Sequence, residues 1–141
     1  MEQNIIDELR NIQITPRGNL INGKISTSLS GETIDVVSPI DGNHMTMIPR
    51  SRREDVDLAV NAAKLAFDDG RWSNQPPVDR KKVLIKWAEL VEKEALSLAV
   101  LGVRENGTEI NMALKAEPFS AAATLRYYGE AIDKVYGEIA P

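Results

Sequence analysis

The hydrophobic pattern of the chain changes period once, near Pro49. Before it, from Leu20 to Ile48, apolar residues come in short runs broken by turn residues. Asn22-Gly23 separates Leu20-Ile21 from Lys24-Ile25, and this dipeptide favours the tight turn of a hairpin. Ser30-Gly31 marks a second turn, and the β-branched run Thr33 to Val37 reads as a strand. Ser38 to Asn43 reads as a loop, and Met45 to Ile48 as a short strand that Pro49 stops. These signals predict three short strands in a small β-meander, which needs something packed on it to be stable. Ahead of the strands, Ile5, Ile6, Leu9 and Ile12 have helical spacing. Residues 1–17 therefore read as an N-terminal arm, either a short amphipathic helix ending before Pro16 or a mobile terminus.

After Pro49 the period is 3.6. Ser51 and Glu54 have the spacing of a capping box, and Val56, Ala59, Val60, Ala63 and Phe67 line one face of the helix that follows. Asp68-Asp69-Gly70 ends it. Pro76-Pro77 starts a longer helix, since proline suits the first turn. Its apolar positions are Val83, Leu84, Trp87, Leu90, Val91, Ala95, Leu98, Ala99 and Leu101, a stripe wide enough for contact on two sides. Asn106-Gly107 is its stop. A third helical pattern, kinked near Pro118, runs through Ala121, Leu125, Tyr128 and Ile132 to Tyr136-Gly137. Trp72, Trp87, Tyr127, Tyr128 and Tyr136 read as packing anchors. The expected architecture is α/β, a small β-meander followed by three helices.

Composition narrows the chemistry. The 141 residues are 43% hydrophobic, enough for one modest core, and the net charge is -4. An acidic chain is poorly suited to neutralising phosphates, so nucleic acid is not an expected partner. The basic cluster Arg50, Arg52 and Arg53 is followed at once by Glu54 and Asp55 and reads as a solvated helix start. No cysteine is present, which excludes a disulfide, a thiolate metal site and a thiol nucleophile from these residues. MEQNIIDELR is not a signal peptide, and no run approaches the roughly 18 apolar residues of a membrane span. A cytoplasmic protein without a membrane partner is the default expectation.

Few residues suggest chemistry individually. Glu92/Glu94 and Asp68/Asp69 read as solvated carboxylates, and His44 has no partner signature for a base or a ligand. No dinucleotide fingerprint, P-loop, zinc or nucleophile-elbow motif occurs. Glu105 stands apart. It lies at the C-terminal end of the long helix, where unpaired carbonyls make a carboxylate unfavourable unless something compensates. A bound cation would do so, as would Arg104 or solvent.

The order of motifs carries a resemblance. It runs Leu20-Ile21-Asn22-Gly23-Lys24, then Val36-Val37-Ser38-Pro39 with Gly42, then Glu54-Asp55-Val56-Asp57 with Ala59-Val60, Ala62-Ala63 and Ala66-Phe67. It continues through Gly70-Arg71-Trp72-Ser73, Arg80-Lys81, Val83-Leu84, Glu105-Asn106-Gly107 and Leu125-Arg126-Tyr127-Tyr128. Over about residues 18 to 141 the chain resembles the amino-terminal region of NAD(P)-dependent aldehyde dehydrogenases. The tail Glu130 to Glu138 is especially similar to gamma-glutamyl-gamma-aminobutyraldehyde dehydrogenases of putrescine breakdown.

The resemblance implies that residues 18–141 are an incomplete N-terminal part of a cofactor-binding domain, lacking most of the dinucleotide-binding sheet. In that family a cysteine attacks the aldehyde, hydride passes to nicotinamide, and a glutamate-activated water releases the acid. All of these residues would lie beyond Pro141. No catalytic or cofactor-binding residue is therefore expected here, NAD or NADP belongs to the complete enzyme, and this chain alone is expected to be inactive and to bind no cofactor. The partners implied are the remainder of the enzyme or a second copy, with a small aldehyde as substrate of the complete enzyme. Two features map onto residues present. A structural cation site would use the backbone of Val36 and Val37 and the side chain of Glu105, where Asp is more usual. Ala116, Glu117 and Ser120 match positions along the aldehyde tunnel. Thr108-Glu109 stands where the family commonly has Lys-Pro, and Pro118 interrupts the third helix. The alternative is a non-catalytic interaction module that docks on another protein through exposed helix faces.

Overall fold

The computed structural model describes residues 3–137. The ends of the arm and of the similar tail, Met1, Glu2 and Glu138 to Pro141, lie outside the described residues. The elements follow in the order α1 Gln3–Asn11, β1 Asn19–Ile21, β2 Lys24–Ser26, β3 Thr33–Val37, β4 His44–Pro49, α2 Arg53–Asp68, α3 Pro77–Lys93, α4 Ala95–Asn106, α5 Ile110–Ala116 and α6 Pro118–Ala131. This is a small α/β arrangement, and it divides into two compact units. One comprises Asn11–Ser73 with Arg104–Gly107; the other comprises Met1–Arg10, Asn74–Val103 and Thr108–Pro141.

In the first unit the expected meander is instead two separate hairpins, β1–β2 and β3–β4, both antiparallel. Asn22 and Gly23 take positive φ (50° and 73°) and close the first hairpin in the register Ile21↔Lys24. Gly18 leads into it because a Cβ there would lie 2.6 Å from the Ser26 carbonyl oxygen. The meander fails because the chain between β2 and β3 closes on itself. The buried Ser28 hydroxyl donates to the Glu32 carbonyl at 2.9 Å, and the Gly31 amide donates to the Ser28 carbonyl at 3.0 Å. β3 is thereby turned to pair with β4, and an irregularity at Val36/Val37 sets Val36 opposite Thr46 and Val37 opposite His44.

The start of α2 also differs from expectation. Ser51 does not cap the helix; its hydroxyl exchanges hydrogen bonds with the Asn19 side chain. The cap falls one residue later, where the buried Asp55 carboxylate accepts the Arg52 amide at 2.9 Å. Its other oxygen accepts the Leu29 amide at 2.8 Å, so one carboxylate holds both the helix start and the loop after β2. These amides keep the Asp55 carboxyl below its ordinary pKa, Arg52 first and Leu29 second. The helix ends as expected, with Gly70 at φ 75°. Yet the predicted stripe is not buried: Val56, Val60 and Phe67 are 55, 59 and 69% exposed. α2 lies against β1, and only Ala62 and Ala66 of its small residues are half-buried.

In the second unit the expected long helix is two. Glu94 leaves helical geometry (φ -97°, ψ 14°) and α4 starts at Ala95. The third pattern is likewise two helices, because Pro118, which has no N–H to give, occupies the first position of α6. α3 packs on α6, and α5 on α6. The buried apolar residues are small: Ala88, Ala95, Ala99, Val100, Ala113 and Ala122. Gly129 is buried where α6 passes over Leu84 and Ile85 of α3. The aromatic residues are not the expected anchors. Trp72, Trp87, Tyr127, Tyr128 and Tyr136 are all exposed; on α3 and α6 the residues that meet are small, alanine and glycine, and the rings of Trp87, Tyr127 and Tyr128 stay outside. Tyr127 and Tyr128 meet edge to face at 5.3 Å.

Candidate functional site

Val36, Val37 and Glu105 fall in one unit, because Arg104–Gly107 clusters with the hairpins rather than with the rest of α4. Gly107 ends α4 at φ 76°, and a Cβ on it would lie 3.7 Å from the Pro39 ring. The loop after β3 and the C-terminal end of α4 are thus in contact. Glu105 is exposed in the last turn of α4, beside that helix's free carbonyls. Arg104 does not offset it: its Nη1 donates to the Ile12 carbonyl at 2.7 Å, which ties the arm to α4. Among the described residues Glu105 has no ion-pair partner. Val36 is half-buried and Val37 exposed. Thr46, opposite Val36, has a buried hydroxyl with no hydrogen-bond partner.

A cation here would rest on hard oxygen donors, the backbone carbonyls of Val36 and Val37 with one carboxylate, and these suit an alkali or alkaline-earth ion rather than a transition metal. Among the described residues no group of three or more His, Cys, Asp or Glu is placed to hold a metal.

Ala116, Glu117 and Ser120 come together around the break between α5 and α6. Ala116 is the last residue of α5, Glu117 joins the helices, and Ser120 lies in the first turn of α6. Ala116 and Ser120 are exposed, whereas the half-buried Glu117 carboxylate rests on Gly102 of α4, leaving no room for a Cβ there. Glu109 caps α5 by accepting the amides of Asn111 (2.9 Å) and Met112 (3.0 Å). Those two bonds lower its pKa, in that order. The Thr108-Glu109 departure therefore starts a helix, and the Pro118 departure starts the next.

In the second unit an open groove of about 900 Å³ lies between α3 and α6, with Val78, Ile85 and Ile132 among the residues lining it. Its charges are paired. Lys81 reaches Glu130 at 2.6 Å, and Arg126 grips Glu92 with both terminal nitrogens, the second at 2.7 Å. The hydrogen bond from Arg126 lowers the Glu92 pKa. Glu92 is a strut between helices rather than an acid–base group. His44 approaches Asp35 at 3.5 Å across the second hairpin, both exposed, as expected of a surface histidine. Asp69 is held by Arg71, and Arg50 and Arg52 converge on Glu32, as expected of a solvated helix start. Two polar contacts had no clear sequence signal. Asp55 could have been found by moving the capping box one residue on; the Glu92–Arg126 pair, 34 positions apart, could not.

Residues 26–141 match the Aldehyde dehydrogenase family. The NADP/NAD-dependent aldehyde dehydrogenase PuuC of Escherichia coli (strain K12) is 40% identical over 120 residues, which cover 85% of this chain and 24% of that protein. The crystal structure of gamma-glutamyl-gamma-aminobutyraldehyde dehydrogenase from Burkholderia cenocepacia J2315 superposes with a TM-score of 0.89 at 34% identity, over 99% of this chain and 28% of that one. Indole-3-acetaldehyde dehydrogenase in complex with NAD+ superposes with a TM-score of 0.88 at 36% identity, over 96% of this chain and 27% of that one. The chain spans about a quarter of the length of curated relatives such as PuuC.

Proposed function

Because the chain belongs to the aldehyde dehydrogenase family, we propose that it forms the N-terminal scaffold of an NAD(P)-dependent enzyme oxidising an aldehyde to a carboxylate, with an aminoaldehyde of putrescine breakdown as substrate. The observation that carries this reading is the extent of the match. It covers most of this chain, yet only about a quarter of PuuC and of a solved structure whose name includes the aminobutyraldehyde activity. The chain supplies no thiol nucleophile, since it contains no cysteine. In the complete enzyme NAD(P) accepts the hydride. Within these residues, Val36, Val37 and Glu105 would hold a structural cation, and Ala116, Glu117 and Ser120 would border the substrate path. The test has two arms. The chain alone, given NAD+ or NADP+ and gamma-glutamyl-gamma-aminobutyraldehyde, should form no reduced cofactor, and turnover would overturn the scaffold role. A protein carrying this sequence together with a dinucleotide-binding segment and a cysteine should oxidise that aldehyde in preference to acetaldehyde; the reverse preference would overturn the substrate class.

A second reading rests on the exposed stripe of α2. Val56, Val60 and Phe67 project from the first unit uncovered, and an interaction module would dock there, on the remainder of the enzyme or on a second copy. Size-exclusion chromatography of the chain tests this: association lost in Val60→Asp supports it, and a monomer at all concentrations refutes it.

A further inference from the structure

The tight turn of the first hairpin holds chemistry that the scaffold role does not use. Among the described residues Asn22 is the only non-glycine residue with positive φ (50°), and Gly23 follows it at φ 73°. Both are exposed, and a Cβ on Gly23 would meet nothing within 4 Å, so the peptide between them is open to water. The turn residues contribute little to the ladder, which pairs Ile21 with Lys24 across them. Neither the Asn22 side-chain amide nor the Gly23 backbone N–H has a hydrogen-bond partner among the described residues.

We propose that Asn22 is a site of spontaneous deamidation through a cyclic imide. Hydroxide removes the Gly23 amide proton, and that nitrogen attacks Cγ of Asn22. The N–Cγ bond forms as the Cγ–Nδ2 bond breaks, and Nδ2 leaves as ammonia. Water then opens the five-membered imide at either carbonyl, leaving Asp or isoaspartate at position 22. Glycine at the next position matters because a side chain there would obstruct the attacking nitrogen. The chain contains a built-in comparison. Asn106-Gly107 is the same dipeptide, but Asn106 is held in the last turn of α4. There the attack first requires unwinding the last turn of α4, whereas the exposed two-residue turn can rearrange at less cost.

The two products differ in consequence. Asp tolerates positive φ nearly as well as Asn, so the hairpin survives it. Isoaspartate routes the backbone through the side-chain methylene and lengthens a two-residue loop, which breaks the Ile21↔Lys24 register. The damage would reach the segment leading into α2, because Asn19 of β1 is hydrogen-bonded to Ser51 at 2.9 Å.

The experiment ages the intact chain in mildly alkaline buffer and digests it with trypsin. Fragmentation then follows the peptides Gly18–Lys24 and Glu105–Lys115, beside a synthetic peptide of residues 18–24. Conversion localised to Asn22 should exceed that at Asn106 several-fold and rise with pH. Part of the product should co-elute with the same peptide from N22D, and the rest with an isoaspartyl standard. An Asn22 still intact when half of the synthetic peptide has converted would overturn the proposal, as would equal conversion at Asn106.

Discussion

Gly129 offers the sharpest test of how the helical unit is held together. It is buried in α6 directly over α3, and a Cβ there would lie 3.3 Å from Leu84 Cβ and 3.4 Å from Ile85 Cδ1. Two effects oppose each other in Gly129→Ala. Replacing glycine within a helix gains roughly 0.5–1 kcal/mol of backbone entropy. The new methyl group presses on Leu84 Cβ, which is fixed to the α3 backbone and can yield only if the helices separate slightly. Overpacking by small groups costs about 1 kcal/mol at the low end, so the alanine variant should lie within about 1 kcal/mol of the parent. Gly129→Leu adds three further carbons aimed at the same surface. There the overpacking dominates, at roughly 1–3 kcal/mol of lost stability. For a chain of this size that is a fall in Tm of about 4–12 °C. Urea unfolding followed by the fluorescence of Trp87 on α3 measures it. A leucine variant with the parent's unfolding midpoint would refute the claim that the α3–α6 approach depends on a bare backbone at 129.

Two further outcomes follow from the first unit. Asp55 has a lowered carboxyl pKa because it accepts the Arg52 and Leu29 amides. Its contribution is therefore present above the ordinary carboxyl value of about 3.9 and is lost as pH falls through the lower folded value. Asp55→Asn should unfold at a lower temperature than the parent near neutrality, with the gap closing in acid; a gap independent of pH would sink this account. At Glu105, a bound cation should raise Tm with the logarithm of its concentration once that exceeds Kd, worth about 1.4 kcal/mol at ten times Kd. Titration with sodium, potassium and magnesium chlorides should show this rise in the parent and lose it in Glu105→Gln, with choline chloride controlling for ionic strength. The same rise in both proteins would exclude Glu105 as a ligand.

Local chemistry was legible in the sequence wherever a single residue type decides the backbone. Asn22-Gly23, Gly70 and Gly107 mark turns and helix ends, and each has the positive φ that makes glycine or asparagine the suitable choice. Pairing and packing were less legible. Ser28 and Gly31 close a turn that separates two hairpins, although β2 and β3 look like consecutive strands of a meander. The break at Glu94 leaves no proline or glycine behind, so a continuous apolar stripe conceals two helices. At the candidate cation site the residue types were readable, but the contact between Pro39 and Gly107 that joins the β3 loop to the α4 end is a tertiary fact.

The stripe of α2 shows the limit of periodicity as an argument. Val56, Val60, Ala63 and Phe67 recur at intervals of four, three and four, which identifies an apolar face and therefore predicts burial. The face that α2 turns toward β1 carries instead the buried Asp55 and the half-buried Ala62 and Ala66. Period alone cannot rank two apolar faces of one helix, because both satisfy the same spacing. Small residues mark the side where backbones approach closely, while large ones mark a side that needs a deeper and more extensive partner. The same division recurs in the second unit, where Ala88 is buried and Trp87 beside it is 56% exposed. A chain whose buried apolar residues are five alanines and one valine, and whose tryptophans and phenylalanines remain exposed, has its larger apolar side chains largely outside its own core. That is the physical sense of the scaffold role proposed for this chain: the residues able to bury the most apolar area are those its own fold does not use.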